Sequence, residues 1–212
     1  MIQSISQYAN AAIGENKEIL KDIHLADKNI AIYQRDTQLL AEDLKQLSEQ
    51  EVECRLSGSV EEILSCLESY FSNHFPDCTA LFNDVSEHLV QFKELSQASA
   101  FRLLLTTVST NMCRKFHTDV NDLRMLCTYI GPGTLWVPDE AIDLDDSYAR
   151  GNGNEVVLDL EKVEQAGTGE LIILKGALYP EANAIMHRSP TIEESGERRL
   201  LLRIDTQEAL NF

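Results

Sequence analysis

The sequence predicts an α+β protein in which mainly helical residues 1–99, with short strands among them, precede a β-sandwich or barrel at residues 100–206. Three observations support this fold class. Apolar residues recur at helical spacing in the first half of the chain. From about residue 100 the chain is rich in β-forming residues that are divided by turns. No linker rich in Pro, Gly or Ser separates the two halves, so we expect one domain over residues 1–212.

The first half contains signals for both strands and helices. Residues 29–35 and 52–56 alternate with a period of two, which predicts two short strands. Ser59 and Glu62 have the spacing of a capping box, which predicts that a helix begins there. A further helix is expected to begin at Pro76, with an apolar face that continues beyond residue 90.

The second half consists of β-type segments between strong turn signals. The segments are residues 101–108, 170–176 and 198–205, and the turns are residues 131–133, 151–154 and 167–169. Each turn is rich in glycine, which is typical of loops between strands. Short strands at this density indicate a sandwich or barrel.

The charge and the cysteine content limit the partners and the compartment. The net charge is −17, from 18 basic and 35 acidic residues. Such a field repels phosphate, so we expect neither nucleic acid nor an anionic membrane as a partner. The sequence shows no signal peptide and no long apolar run, and its five cysteines have no C-x-x-C spacing. We therefore expect a cytoplasmic protein without a disulfide framework.

The sequence His117-Thr118-Asp119 is the strongest candidate for a functional site. Residues two apart on a strand point to the same face, so His117 and Asp119 can converge on one ion. His187 is the one remaining histidine outside the helical half, and it is the candidate third ligand. Two alternatives stay open at this point, a hydrogen-bonded pair and a polar cluster in the core.

Longer segments around these residues resemble known families. The order of H-x-D, GELIILKG, a later histidine and a final GERRLLLRID strand resembles the iron(II)/2-oxoglutarate-dependent dioxygenases over residues 101–205. The segments KFHTDVNDLRMLCTYIGPGTLWVPD, LKGALYPEANAIMHRSP and RRLLLRID resemble, over most of the chain, the uncharacterised bacterial family DUF1826. The second resemblance also implies an association with zinc homeostasis.

The oxygenase resemblance implies a fold, a cofactor and a set of site residues. It implies a double-stranded β-helix (jelly-roll, cupin-like) barrel at residues 100–206, with Fe(II) bound by His117, Asp119 and His187. No catalytic residue is implied beyond these ligands. The cosubstrate is 2-oxoglutarate, and Arg198 is the first expected cosubstrate-binding residue. The alternative is Arg203 or Arg199, which share the opposite face of the strand. Arg124 and Tyr129 are further candidates. Arginine suits this role because its planar fork binds a carboxylate through two hydrogen bonds.

Three functional hypotheses follow. The first is a non-haem Fe(II)/2-oxoglutarate-dependent oxygenase that acts on a small molecule or a protein side chain. The second is a cupin-like protein that binds zinc or another divalent ion in metal homeostasis, without oxidation chemistry. The third is an interaction module whose His-Asp-His group is only a polar cluster. Residues 139–146 carry five carboxylates and are a candidate lid for a cationic substrate, whereas Cys113 and Cys127 are interpreted as buried thiols.

Overall fold

A computed structural model describes residues 8–142, 157–180 and 183–207, which form a mixed α/β fold around a large, mainly antiparallel sheet. The first half of the chain supplies strands as well as helices. Its elements are β1 (Ala11–Gly14), a 3₁₀ helix (Lys17–His24), β2 (Ile30–Tyr33), a 3₁₀ turn (Gln38–Leu40), α1 (Ala41–Leu47), β3 (Glu53–Gly58), α2 (Val60–His74) and α3 (Thr79–Ser96). Among the residues described, no helix combines the length and apolar character that a bilayer crossing requires.

The second half is built from strands of very unequal length. They are β4 (Phe101–Val108), β5 (Leu123–Ile130), β6 (Leu135–Trp136), β7 (Glu164–Gln165), β8 (Leu171–Lys175), β9 (His187–Arg188) and β10 (Arg199–Thr206). Two short 3₁₀ turns, Asp139–Ala141 and Leu160–Lys162, lie between β6 and β7. The turn predicted at residues 151–154 lies outside the described residues.

The helix starts follow local hydrogen bonding. The Ser59 hydroxyl accepts a hydrogen bond from the backbone N–H of Glu62, and the Glu62 carboxylate accepts one from the Ser59 N–H, so the predicted capping box is confirmed. The next helix begins at Thr79 and not at Pro76. Residues 76–78 form a turn instead, in which the N–H of Cys78 donates to the carbonyl of Phe75.

The large sheet has seven strands in the order β1-β2-β8-β5-β10-β4-β3. β1 and β2 run parallel, whereas the other five neighbouring pairs are antiparallel. β10, the last strand in sequence, lies between β5 and β4 at the centre of the sheet. The strands from the first half therefore extend both edges of a sheet whose centre comes from the second half.

The small sheet has the order β7-β6-β9, and it gains one further backbone pairing. The N–H groups of His117 and His187 each donate to the carbonyl of the other residue at 3.0 Å, on the side of β9 away from β6. In the described residues no strand pair joins the two sheets. The expected barrel is thus observed as two sheets, not as one closed barrel.

The central strands of the large sheet are buried on both faces. From β10, Leu200, Leu202 and Ile204 belong to the core cluster that contains α2 and α3. Leu201 belongs instead to the cluster that contains Trp136 of the small sheet. We call the side of the large sheet toward Trp136 the inner face and the side toward α2 and α3 the helix face.

Candidate metal centre

The backbone pairing between β9 and residue 117 brings the two predicted histidine ligands together. Their ring centroids lie 4.6 Å apart, although the residues are far apart in the sequence. Asp119 lies in the loop that follows, where its carbonyl accepts a hydrogen bond from the N–H of Ala177 at 2.8 Å. That bond holds the loop on the turn that comes directly after β8.

The three side chains form a compact group of donors. One potential ligand atom of each of His117, Asp119 and His187 lies within 4.8 Å of the other two. His187 Nε2 is 3.4 Å from Oδ2 of Asp119, and His117 Nε2 is 3.8 Å from Oδ1. Two imidazoles and one carboxylate are the donors of the facial triad that holds Fe(II), and they also suit zinc.

Hydrogen bonds at the other ring nitrogen orient both imidazoles. Nδ1 of His117 lies 3.0 Å from the carbonyl oxygen of Lys115, and Nδ1 of His187 lies 3.2 Å from that of Ile185. A carbonyl only accepts hydrogen bonds, so Nδ1 carries the proton in each neutral ring. Nε2 is left with a lone pair, which is the arrangement that holds a metal-binding histidine in place.

Burial gives two members of this group properties that favour binding of a cation. His187 and Asp119 are buried, whereas His117 is half-buried. Burial lowers the pKa of His187 to about 4, against the opposing effect of Asp119, so this imidazole is neutral at pH 7. Oδ2 of Asp119 is a buried carboxylate oxygen without a hydrogen-bond donor. A buried carboxylate oxygen without a partner destabilises the fold unless a cation or a hydrogen-bond donor contacts it. The residues present therefore fit a bound divalent metal.

Arg124, expected to contact the keto acid, instead binds two carboxylates of the chain. It lies on β5, where Nη1 is 2.5 Å from Oδ1 of Asp119 and Nε donates to Oδ1 of Asp205. The amide of Asn121 also donates to Asp205, at 3.2 Å. Arg203, another expected contact of the keto acid, has Nε 3.1 Å from the second oxygen of Asp205. No pattern in the sequence identifies Asp205 as part of this group.

The expected anchor Arg198 lies away from the triad. It precedes β10, and its guanidinium pairs with Glu51 at 2.5 Å and with the carbonyl of Gln50 at 3.3 Å. The side chain of the next residue, Arg199, points to the opposite face. It is buried on the inner face, where Nη2 donates to the hydroxyl of Thr128 at 2.9 Å. Burial lowers the pKa of Arg199 to about 10, which still leaves it charged at pH 7.

Among the described residues Arg199 has no carboxylate partner, and its Nε has no acceptor. No pattern in the sequence points to Thr128, whose hydroxyl is the hydrogen-bond partner of Arg199 among the described residues. Thr128 lies four residues after Arg124 on β5, so both side chains point to the inner face. A buried, incompletely paired guanidinium therefore lies on the same face of the sheet as the arginine that contacts Asp119.

Tyr129, another expected contact of the keto acid, lies on the helix face. Its hydroxyl donates to Oδ2 of Asp84 at 2.7 Å, and Arg35 binds both oxygens of the same carboxylate. Burial opposes ionisation of Asp84, but the contacts with His88 and Arg35 outweigh it and hold the pKa of Asp84 well below its usual range. Alternation along β5 thus directs the side chain of Tyr129 away from the inner face, so the structure does not bring it together with the triad.

The other candidates from the sequence have ordinary environments. Cys127 is buried as expected, whereas Cys113 is exposed. Of the acidic stretch, Asp139 accepts hydrogen bonds from the amides of Asn10 and Asn29 at 2.9 and 3.2 Å. Residues 143–146, which carry three of its five carboxylates, lie outside the described residues.

Comparisons with known proteins give one family and several distant structural likenesses. A family model described as a protein of unknown function, DUF1826, matches residues 14–205. No curated protein matches the chain.

Three solved structures illustrate the likenesses. A prolyl-4-hydroxylase from Pseudomonas putida is 9% identical, with a TM-score of 0.44, over 89% of this chain and 97% of that one. A putative oxygenase from Shewanella oneidensis is 10% identical, with a TM-score of 0.45, over 93% and 89%. A full-length protein of Neurospora crassa, solved in complex with alpha-KG, is 12% identical, with a TM-score of 0.45, over 90% and 78%.

Proposed function

The chain belongs to the DUF1826 family of unknown function, and we propose that it is an Fe(II)- and 2-oxoglutarate-dependent oxygenase whose iron is held by His117, Asp119 and His187. The observation that carries the proposal is the meeting of two oriented imidazoles and one buried carboxylate beside an inner face that also buries an arginine. The substrate is a small molecule or a protein side chain.

The strand order supports a double-stranded β-helix as the finer description of the fold. Along the chain, β4, β5, β8 and β10 enter the large sheet, while residue 117, β6, β7 and β9 enter the small one. Their spatial orders are β8-β5-β10-β4 and β7-β6-β9 followed by residue 117. Residues of both sheets share one apolar cluster, so the sheets face each other as in a jelly roll.

The protein residues supply coordination, orientation and exclusion of water. Nε2 of His117, Nε2 of His187 and one oxygen of Asp119 would hold the metal, with positions left for the keto acid and dioxygen. When bound, iron and 2-oxoglutarate supply oxidation of a C–H bond by dioxygen, with loss of CO₂ from the keto acid. The chemistry belongs to these groups, whereas the chain fixes where they lie.

Arg199 with Thr128 is the proposed anchor for the far carboxylate of 2-oxoglutarate. The guanidinium is buried and charged, and it contacts one neutral hydroxyl, so it has donors available for an anion. This assignment replaces Arg198, whose guanidinium is committed to Glu51. It supports the oxygenase over the zinc-binding hypothesis, because the oxygenase requires a cation for the far carboxylate of the keto acid, whereas a zinc site without oxidation chemistry does not.

Anaerobic spectroscopy tests the proposal. Addition of Fe(II) and then 2-oxoglutarate to the purified protein is expected to give the weak visible charge-transfer band of a chelated keto acid. His187→Ala should abolish the band together with metal binding, and Arg199→Met should keep the metal and require about ten- to hundredfold more 2-oxoglutarate for the same band. Tight zinc binding without any band under these conditions would favour the metal-homeostasis hypothesis. Metal content unaffected by His187→Ala would contradict both.

A further inference from the structure

Arg124 lies between a predicted metal ligand and a second carboxylate of the chain. Nη1 is 2.5 Å from Oδ1 of Asp119, and Nε bonds to Oδ1 of Asp205. The three side chains are largely shielded from water, with 16%, 9% and 12% of their surfaces exposed. Arg124 and Asp205 are also partners in the register between β5 and β10, so the sheet itself fixes their spacing.

The contact with Arg124 distinguishes the two oxygens of Asp119. Oδ1 accepts from the guanidinium, whereas Oδ2 is buried without a donor and lies 3.4 Å from Nε2 of His187. An ion between the two imidazoles thus meets one free carboxylate oxygen and one that is already engaged. A carboxylate needs both oxygens to chelate a metal.

We propose that Arg124 makes Asp119 a one-oxygen ligand and so keeps open a coordination position that a chelating Asp119 would otherwise occupy. This inference rests on the proposed metal site and deepens it, since a cosubstrate that binds through two oxygens needs that position. Arg124 is accordingly a positioning residue that acts through Asp119.

Asp205 completes the arrangement by balancing charge. A guanidinium next to a metal ligand repels an incoming cation, and the repulsion is strong where water is scarce. Asp205 contacts the same guanidinium and is itself held by Asn121 and Arg203. The ion therefore meets a site in which the charge of Arg124 is compensated while its hydrogen bond to Oδ1 remains.

Mn(II) and oxalate are suitable probes, because oxalate chelates through two oxygens and needs two open positions. Free Mn(II), followed by electron paramagnetic resonance, gives the metal affinity, and a calorimetric titration of the Mn(II) protein gives the oxalate affinity. Arg124→Gln is expected to bind Mn(II) at least as tightly as the wild type, since a nearby positive charge is removed. It should bind oxalate about tenfold more weakly, since one position is lost to the second oxygen of Asp119.

Two further variants separate this role from simple support of the fold. Arg124→Lys keeps the charge and one contact, so oxalate affinity should return to within about threefold of the wild type. Asp205→Asn leaves the charge of Arg124 uncompensated and should weaken Mn(II) binding about tenfold, with oxalate affinity retained. A residue that only supported the fold would weaken metal binding in every variant.

The matched control is Arg102→Gln. Arg102 lies opposite Asp205 in the register between β4 and β10, and it is exposed. Its loss removes the same charge one strand away, so both affinities should stay within about twofold of the wild type.

Two results would overturn the inference. One is a loss of Mn(II) affinity of about tenfold in Arg124→Gln with the fold intact, which would make Arg124 a support for the Asp119 loop. The other is wild-type oxalate affinity in that variant. If Arg124→Gln does not fold, Arg124→Lys and Asp205→Asn decide: oxalate binding about tenfold weaker than wild type in the first contradicts the one-oxygen role, and unchanged Mn(II) affinity in the second contradicts the charge argument. Wild-type protein that binds Mn(II) and oxalate but not 2-oxoglutarate would end the oxygenase proposal and leave this inference standing.

Discussion

At the scale of single residues, the position of Arg199 is the hardest to explain by packing alone. It is buried, and its guanidinium contacts one threonine hydroxyl. A structural arginine in such a place is normally paired with a carboxylate, because an unpaired buried charge destabilises the fold. Among the described residues no carboxylate pairs with Arg199, and the proposed keto acid would supply the missing anion.

Arg199→Met should separate ligand binding from stability. We expect 2-oxoglutarate affinity to fall by about 1.5–3 kcal/mol, the usual contribution of a hydrogen bond to a charged group. Thermal stability of the metal-loaded protein without keto acid should stay the same or rise, since a poorly paired buried charge is removed. Calorimetry and thermal unfolding measure the two effects. The control is Arg198→Met, and a larger loss of keto-acid affinity there would return the role to Arg198.

His88 gives a second prediction, on the pH dependence of stability. Its Nε2 lies 3.1 Å from Asp84, but burial dominates and lowers the pKa of His88. Below the unfolded pKa of 6.5 the unfolded chain takes up a proton that the folded chain does not, so acid favours unfolding. The contribution is absent above that pKa and reaches at most about 1.4 kcal/mol per pH unit below it.

The pH effect can be isolated with one variant. Urea unfolding of metal-free protein at several pH values between 7 and 5 should show a smaller loss of stability for His88→Gln than for the wild type. His187 also has a lowered pKa and contributes to both proteins equally, so the difference reports His88 alone. Identical pH slopes in the two proteins would mean that His88 takes up its proton without unfolding.

The sequence predicts the convergence of the triad better than it predicts its surroundings. The sequence shows the H-x-D motif and the late histidine directly. The spacing of two within H-x-D also predicts that His117 and Asp119 share a face. The choice between Arg198 and Arg199 is not visible. β10 carries leucines toward both faces, so the apolar pattern has no phase that would identify the inner one.

At the scale of elements, the turn after β8 holds the loop that carries Asp119. The N–H groups of residues 176–178 donate to the carbonyls of Asp122, Asp119 and Asn121 at 2.8 to 2.9 Å. A side chain at Gly176 would place its Cβ 2.2 Å from both the carbonyl and the amide oxygen of Asn121. The glycine that closes the GELIILKG segment thus permits the two loops to lie in contact.

Gly176→Ala should therefore disturb the metal site from outside it. We expect a loss of about 1–3 kcal/mol in the free energy of unfolding from overpacking, together with weaker Mn(II) binding. Gly14→Ala is the control, since its Cβ would meet Ile19 at an ordinary 3.5 Å. Denaturant unfolding and metal titration measure both quantities. Unchanged metal affinity in the destabilised Gly176→Ala would show that the loop does not depend on this turn.

Element length decides how well the sequence predicts each strand or helix. The strands β4 and β10 and the helix α2 are long enough to show a period, and all three are found where they were expected. β6, β7 and β9 have two residues each, which is too short for any period. Their positions are set by pairing with distant parts of the chain, and β9 carries His187.

At the scale of the whole molecule, the helical first half covers the helix face of the large sheet. Residues of α2 and α3 share a core cluster with those of β4, β5, β8 and β10. The first half also supplies β2 and β3, which pair with β8 and β4. We expect residues 100–212 alone to expose an apolar face and two strand edges, and so to lack a cooperative unfolding transition.

Circular dichroism and thermal unfolding of that fragment test this expectation against the full chain. A fragment with a sharp transition that binds Mn(II) would divide the protein into two domains and contradict the single domain predicted from the sequence. The sequence indicated helices before strands, but it did not indicate that the first half adds strands to the same sheet. Such pairing joins residues that are far apart in the sequence, so local sequence patterns do not predict it.

The strand pairing of Trp136 with His187 has a practical consequence. Trp136 is the one tryptophan of the sequence, it is 1% exposed, and it faces the same side of the small sheet as the imidazole opposite it. All indole emission of the protein thus originates beside the proposed ion. Quenching of this emission by a paramagnetic cation would therefore report occupancy of the metal site directly, without an added dye.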